Sequence, residues 1–269
     1  MKTLVFSGVP DLRRRVNLVA ATSLISLALQ VIINVKSGIT LTNAGACLLL
    51  LAMHALLLGS LYGALKPGRA YHALGVLSVT LWVLFSLGSY LLLSTGFVTI
   101  VCLVALAITN SIEADEIWII SFLLLMSAGT VFVYVRFYAH AAKMTGQLRK
   151  GNYVSSEKPE KWAAASAGAA GLVILMMTVL LIKSSTVTEM AQPGNVGLNR
   201  YTAQYANLMA GRDGGTATTI LRYMTSLCQG VSFWAVYLLL KTFRLNWPGQ
   251  KKAGKNVNDS GIKTINSGA

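Results

Sequence analysis

Charged residues are scarce in this sequence. They make up 12% of the 269 residues, against 54% hydrophobic residues, whereas an average soluble domain carries roughly a quarter charged residues. So few charges exclude an ordinary soluble globular domain. Negatively charged residues are fewer than positively charged ones: the sequence has nine Asp and Glu and 23 Lys and Arg, for a net charge of +14.

Cysteine and histidine are also few, with three of each. The cysteines lie in apolar runs without CxxC spacing, which indicates small buried side chains rather than disulfides or metal ligands. His54 lies in the middle of an apolar run, whereas His72 and His140 lie near the ends of such runs. We therefore expect no haem, metal or other cofactor. The sequence also lacks the HExxH, GxSxG and phosphate-loop motifs, so no motif points to an enzyme class.

What the chain has is long apolar runs of about 20 residues, the length that crosses a bilayer as a helix. Leu, Ala, Val and Ile follow one another without the alternation of a barrel strand. We predict an all-α, polytopic integral membrane helical bundle within one domain, residues 1–245, followed by a disordered basic tail, residues 246–269. The seven predicted transmembrane helices cover about residues 16–35, 44–65, 71–93, 97–112, 113–140, 162–182 and 216–243.

The segment 97–112 decides the number of crossings. Ser94, Thr95 and Gly96 favour a turn before it, and its first dozen apolar residues reach about 18 Å, short of a hydrocarbon core of about 30 Å. If the segment crosses, there are seven spans and the N-terminus lies outside. The alternative is six spans plus one re-entrant or interfacial segment, with both termini inside. The positive-inside rule favours six; hydropathy and the turn favour seven, which is our prediction.

The positive charges orient the chain rather than bind nucleic acid, because no basic domain exists outside the apolar runs. The basic connection 141–161 and the basic tail belong inside, so we predict a cytoplasmic C-terminus. The expected partners are the lipid bilayer and anionic lipid headgroups at the basic loops. Aromatic residues at the two ends of the run 113–140, Trp118 on one side and Tyr134 and Tyr138 on the other, are typical of membrane interfaces.

Polar residues within or beside the spans are the candidates for ligand binding: Gln30, His54, Asn110 and Gln229. If the protein is an enzyme, the candidate catalytic residues are the outer-face carboxylates Glu113, Asp115 and Asp213. The spacing of Asn110 and Glu113 is that of a capping box, which favours a helix start over an active site. No carboxylate lies deep in a span, so a coupling residue of an ion-driven carrier is not evident.

These observations predict a multi-pass membrane protein that binds or transports a small molecule without resident catalytic chemistry. One alternative is a small membrane enzyme that uses the outer-face carboxylates. Another is a scaffold subunit, since the small-residue stretches 59–63 and 163–171 allow close approach of a packing partner or a second copy of the chain.

Overall fold

The structure is a computed structural model that describes residues 11–36, 41–66, 68–108, 114–151, 156–190 and 215–245. These ranges contain six α-helices and no strand, which confirms the predicted all-α class. The helices are α1 (Leu12–Lys36), α2 (Leu41–Ala64), α3 (Ala70–Ile108), α4 (Ala114–Arg149), α5 (Lys158–Met190) and α6 (Gly215–Leu245). The predicted tail, residues 246–269, lies outside the described residues.

The six helices form a closed ring in chain order. Each packs against the helix before it and the helix after it, and α6 packs against α1 to close the ring. Five helices contain a segment long and apolar enough to cross a membrane: Leu12–Lys36, Ala44–Ala64, Ala70–Ser94, Lys158–Thr178 and Thr219–Leu245. The chain therefore has the helices of an integral membrane protein.

The predicted turn at residues 94–96 is wrong, because α3 continues through it without a break. The Ser94 hydroxyl donates to the Leu91 carbonyl at 3.2 Å, inside the same helix. A helical glycine such as Gly96 costs about 1 kcal/mol relative to alanine. Backbone groups left unpaired in an apolar environment cost several kcal/mol, so the helix continues. Residues 97–108 are the last twelve of the 39 residues of α3, and a count of seven spans is not confirmed.

Helices α3 and α4 form a long antiparallel hairpin. They contain 39 and 36 residues, which corresponds to about 58 and 54 Å. The Ser78 hydroxyl donates to the Ala142 carbonyl at 3.2 Å. A Cβ atom added at Gly88 would lie 2.9 Å from Cγ2 of Val135, so the closest approach of these helices requires glycine. Both helices exceed a hydrocarbon core of about 30 Å and must tilt or extend past it.

Positive charge collects at one end of the bundle, where α1, α3 and α5 begin and α2, α4 and α6 end. We call this the basic end. The guanidinium of Arg149 lies 4.5 Å from the centre of the Tyr71 ring there, in a cation–π contact. The first and last described residues both lie at this end. Its basic residues are Arg13, Arg14, Arg15, Lys66, Arg69, Arg149, Lys150, Lys158, Lys161, Lys241 and Arg244.

A partly buried ion pair joins the start of α5 to the end of α6. Nε of Arg244 donates to Oε1 of Glu160, and the two side chains are only 19% and 7% exposed. Glu157 lies 3.4 Å from Nη1 of Arg244 and pairs with Lys161, but its side chain is 54% exposed. Its hydrogen bond to Lys161 and the positive charges nearby lower the pKa of Glu157. Its ion pairs are therefore formed at neutral pH and are lost as the pH falls through that lowered pKa.

The small residues of α5 are used inside the bundle. Ala163, Ser166 and Ala170 are essentially inaccessible to solvent, and a Cβ atom added at Gly230 of α6 would lie 3.4 Å from Cβ of Ala170. This spacing places one small-residue face of α5 against its neighbours within the bundle. In the other predicted stretch, Gly63 packs closely against α3.

Candidate functional site

A cavity of about 470 Å³ lies at the centre of the ring. Ligand pockets in proteins commonly occupy about 300–1,000 Å³, so its size suits a small molecule. Helices α1, α2, α3, α4 and α6 contribute side chains to its wall, whereas no described residue of α5 does. Helix α5 packs against α4 and α6. The ring architecture therefore creates a chamber enclosed by five helices.

The described wall of this cavity is mostly apolar. Helix α3 contributes only leucines, at positions 74, 77, 81, 84 and 87. No Asp, Glu, Lys, Arg or Cys is among the described residues that line it. Its polar residues are uncharged amides, hydroxyls and one imidazole: Ser23, Ser26, Gln30, His54, Tyr134, Tyr138, Thr145, Gln229 and Ser232.

Three of the four ligand-binding candidates come together in this cavity. Gln30 from α1, His54 from α2 and Gln229 from α6 all line it, although they are far apart in the sequence. Asn110 lies outside the described residues. The sequence therefore identified polar groups that the fold brings into one chamber.

The polar groups of the cavity differ in how they are satisfied. Nδ1 of His54 lies 2.9 Å from the carbonyl oxygen of Leu50, a contact that suits a protonated Nδ1 and leaves Nε2 as an acceptor in the neutral ring. The Ser232 hydroxyl donates to the carbonyl of Cys228 at 2.8 Å. By contrast, the structure gives the Gln30 and Gln229 amides no hydrogen-bond partner among the described residues.

Tyr134 and Tyr138, which were predicted to lie at a membrane interface, are cavity residues. They line the chamber, and the Tyr134 ring stacks on Phe233 of α6 with its centroid 5.0 Å away. Their spacing of four residues places them on one face of α4. Ser23, Ser26 and Gln30 likewise recur at one face of α1. This regular polar spacing was the signal available in the sequence.

Buried apolar residues close the cavity at the basic end. The ends of α1, α3, α4 and α6 meet there in one hydrophobic cluster that includes Leu12, Leu74, Leu148 and Phe243, each no more than 6% exposed. The same four residues line the cavity. The chamber therefore has an apolar floor at the basic end.

The side chains of the three candidate catalytic carboxylates lie outside the part of the chain that the structure describes. Glu113 and Asp213 lie outside the described residues, and Asp115 belongs to the first turn of α4 without a described side chain. The described residues also contain no group of three His, Cys, Asp or Glu side chains that could hold a metal ion.

Comparison of the sequence with protein-family models finds no match, and comparisons with curated proteins and with solved structures find none either. The chamber and its side chains are therefore the basis for a functional interpretation.

Proposed function

We propose that this protein binds a small, largely apolar molecule in the chamber at the centre of its helical ring, as a receptor or carrier rather than an enzyme. The supporting observation is a cavity of about 470 Å³ with an apolar floor. It lies within a bundle that contains five helices long and apolar enough to cross a membrane. Its wall offers apolar area with a few uncharged polar groups, which is the composition of small-molecule pockets. The absence of carboxylates, lysine and cysteine from the described wall leaves few groups for acid, base or nucleophilic catalysis.

Saturable photolabelling tests this proposal. The full-length protein in lipid nanodiscs is exposed to a long-chain alcohol that carries a diazirine in its alkyl chain. We expect excess unlabelled alcohol to suppress labelling at Leu77, which lines the chamber, but not at Val76, which is on the same helix, is 45% exposed and does not line the chamber. A site saturates, whereas the lipid-facing surface does not. Equal suppression at both positions, or at neither, would contradict binding in the chamber.

We further propose that the chain crosses the membrane six times, with both termini and the basic end in the cytoplasm. Six helices in an antiparallel ring return the chain to the side on which it began. The basic residues at that end satisfy the positive-inside rule and would meet anionic headgroups. In this arrangement α3 is one span with an extension, and the seven-span count is given up.

Reporter tags placed before Arg13 and after Leu245 test the topology. We expect both tags to be modified from the cytoplasmic side only, because an even number of crossings places both ends together. A third tag in the connection 191–214 serves as the control and should report the opposite side. If the tags before Arg13 and after Leu245 reported opposite sides, the number of crossings would be odd and the six-span proposal would be wrong.

A further inference from the structure

The polar residues of the chamber are concentrated away from the basic end. Gln30 follows Leu12 by eighteen residues on α1, which is about 27 Å along the helix axis. Gln229 precedes Phe243 by fourteen residues on α6, or about 21 Å. Leu12 and Phe243 meet in the cluster at the floor. Both amides therefore lie in the half of the chamber that is farther from the basic end, which we call its upper part.

Two further polar groups, those of His54 and Ser26, also lie away from the floor. His54 precedes Ala64, which packs against the floor cluster, by ten residues or about 15 Å. Ser26 lies one turn below Gln30 on α1. Thr145 is near the floor, but its hydroxyl already donates to the Ala142 carbonyl at 2.9 Å. The chamber therefore has a polar upper part and an apolar lower part.

The upper part also has unused hydrogen-bonding capacity. The structure provides no partner among the described residues for the Gln30 and Gln229 amides or for the Ser26 hydroxyl. A bound molecule that presents donors and acceptors at this level would form hydrogen bonds with these groups.

The charge of such a molecule is constrained by the wall. No Asp, Glu, Lys or Arg is among the described residues that line the chamber. An unpaired charge in an apolar environment is far more costly than a neutral polar group. The upper part therefore suits a hydroxyl or carbonyl head and does not suit an ammonium or a sulfonate.

We infer that the ligand is a neutral amphiphile, whose uncharged polar head is bound among Gln30, His54 and Gln229 and whose apolar body extends toward the floor at Leu74 and Phe243. This inference rests on the proposed binding function and adds the ligand class and its orientation. It makes the chamber a site for a single-headed, lipid-like molecule rather than for an ion or a water-soluble metabolite.

Two diazirine-bearing alcohols test the orientation in the full-length protein in nanodiscs, one with the diazirine beside the hydroxyl and one with it at the chain end. We expect saturable labelling by the first near Gln30 and Gln229 and by the second near Leu74 and Leu239. The headgroup is tested by competition with alkyl trimethylammonium and alkyl sulfonate of the same chain length. Each should compete about tenfold less well than the alcohol, which corresponds to about 1.4 kcal/mol.

A matched pair of variants identifies the groups that hold the head. The double variant Gln30→Leu, Gln229→Leu should bind the alcohol about tenfold more weakly. It should also bind the alcohol no more tightly than the charged competitors. Thr22→Leu, a change on α1 outside the chamber wall, should leave both unchanged. If no probe labels saturably, the binding function itself fails. If labelling saturates but the two probes label the opposite ends, or both label the same residues, or the charged competitors compete as well as the alcohol, only the ligand class and its orientation are overturned.

Discussion

Replacing Glu160 with alanine is expected to lower the free energy of unfolding by about 3 kcal/mol, the cost of removing one partner of a buried ion pair. Glu160 is 7% exposed and accepts a hydrogen bond from Nε of Arg244, which is 19% exposed. The substitution removes the carboxylate that accepts this hydrogen bond, while the Arg244 guanidinium stays largely shielded from water. The effect is measured as the shift in thermal unfolding of the protein in nanodiscs.

Glu157→Ala is the matched control for this prediction. Glu157 contacts the same guanidinium, but it is 54% exposed, and exposed ion pairs contribute about 0–1 kcal/mol. We therefore expect a small effect. Combining Glu160→Met with Arg244→Met should recover much of the lost stability, since replacing both partners leaves no buried charge. If Glu160→Ala and Glu157→Ala lowered the free energy of unfolding equally, the buried pair of Glu160 and Arg244 would not stabilise the packing of α5 on α6 more than the exposed pair does.

Replacing Leu57 with tryptophan is expected to remove most saturable binding in the chamber, with at least about a tenfold rise in the half-saturating concentration, or about 1.4 kcal/mol. Leu57 lines the chamber and packs against its wall. An indole at that position occupies the space that the apolar part of a ligand would use. The measurement is competition photolabelling at Leu77.

The adjacent residue provides the control for this substitution. Leu56 is 46% exposed and does not line the chamber, so Leu56→Trp adds the same bulk to the outside of the same helix. It should leave binding at the wild-type level. Thermal unfolding of both variants separates occlusion from misfolding, because overpacking of a core costs about 1–3 kcal/mol. Unchanged binding in a folded Leu57→Trp variant would exclude the chamber as the site.

Local turn preferences were a poor guide at residues 94–96. Ser94, Thr95 and Gly96 are residues typical of turns. In α3 the helix pairs its backbone groups within itself, and the Ser94 hydroxyl donates to the Leu91 carbonyl of the same helix.

The sequence alone determined the helical membrane class, the positions of the apolar runs and the presence of polar residues within them, among which Gln30, His54 and Gln229 proved to share one chamber. These properties follow from the cost of placing each residue in lipid or water, which is local along the chain. The tertiary structure decided that α6 closes the ring on α1, that Tyr134 and Tyr138 face the chamber, and that the polar groups lie above an apolar floor. Those properties depend on how each helix is rotated about its own axis, and that rotation is fixed by packing against its neighbours.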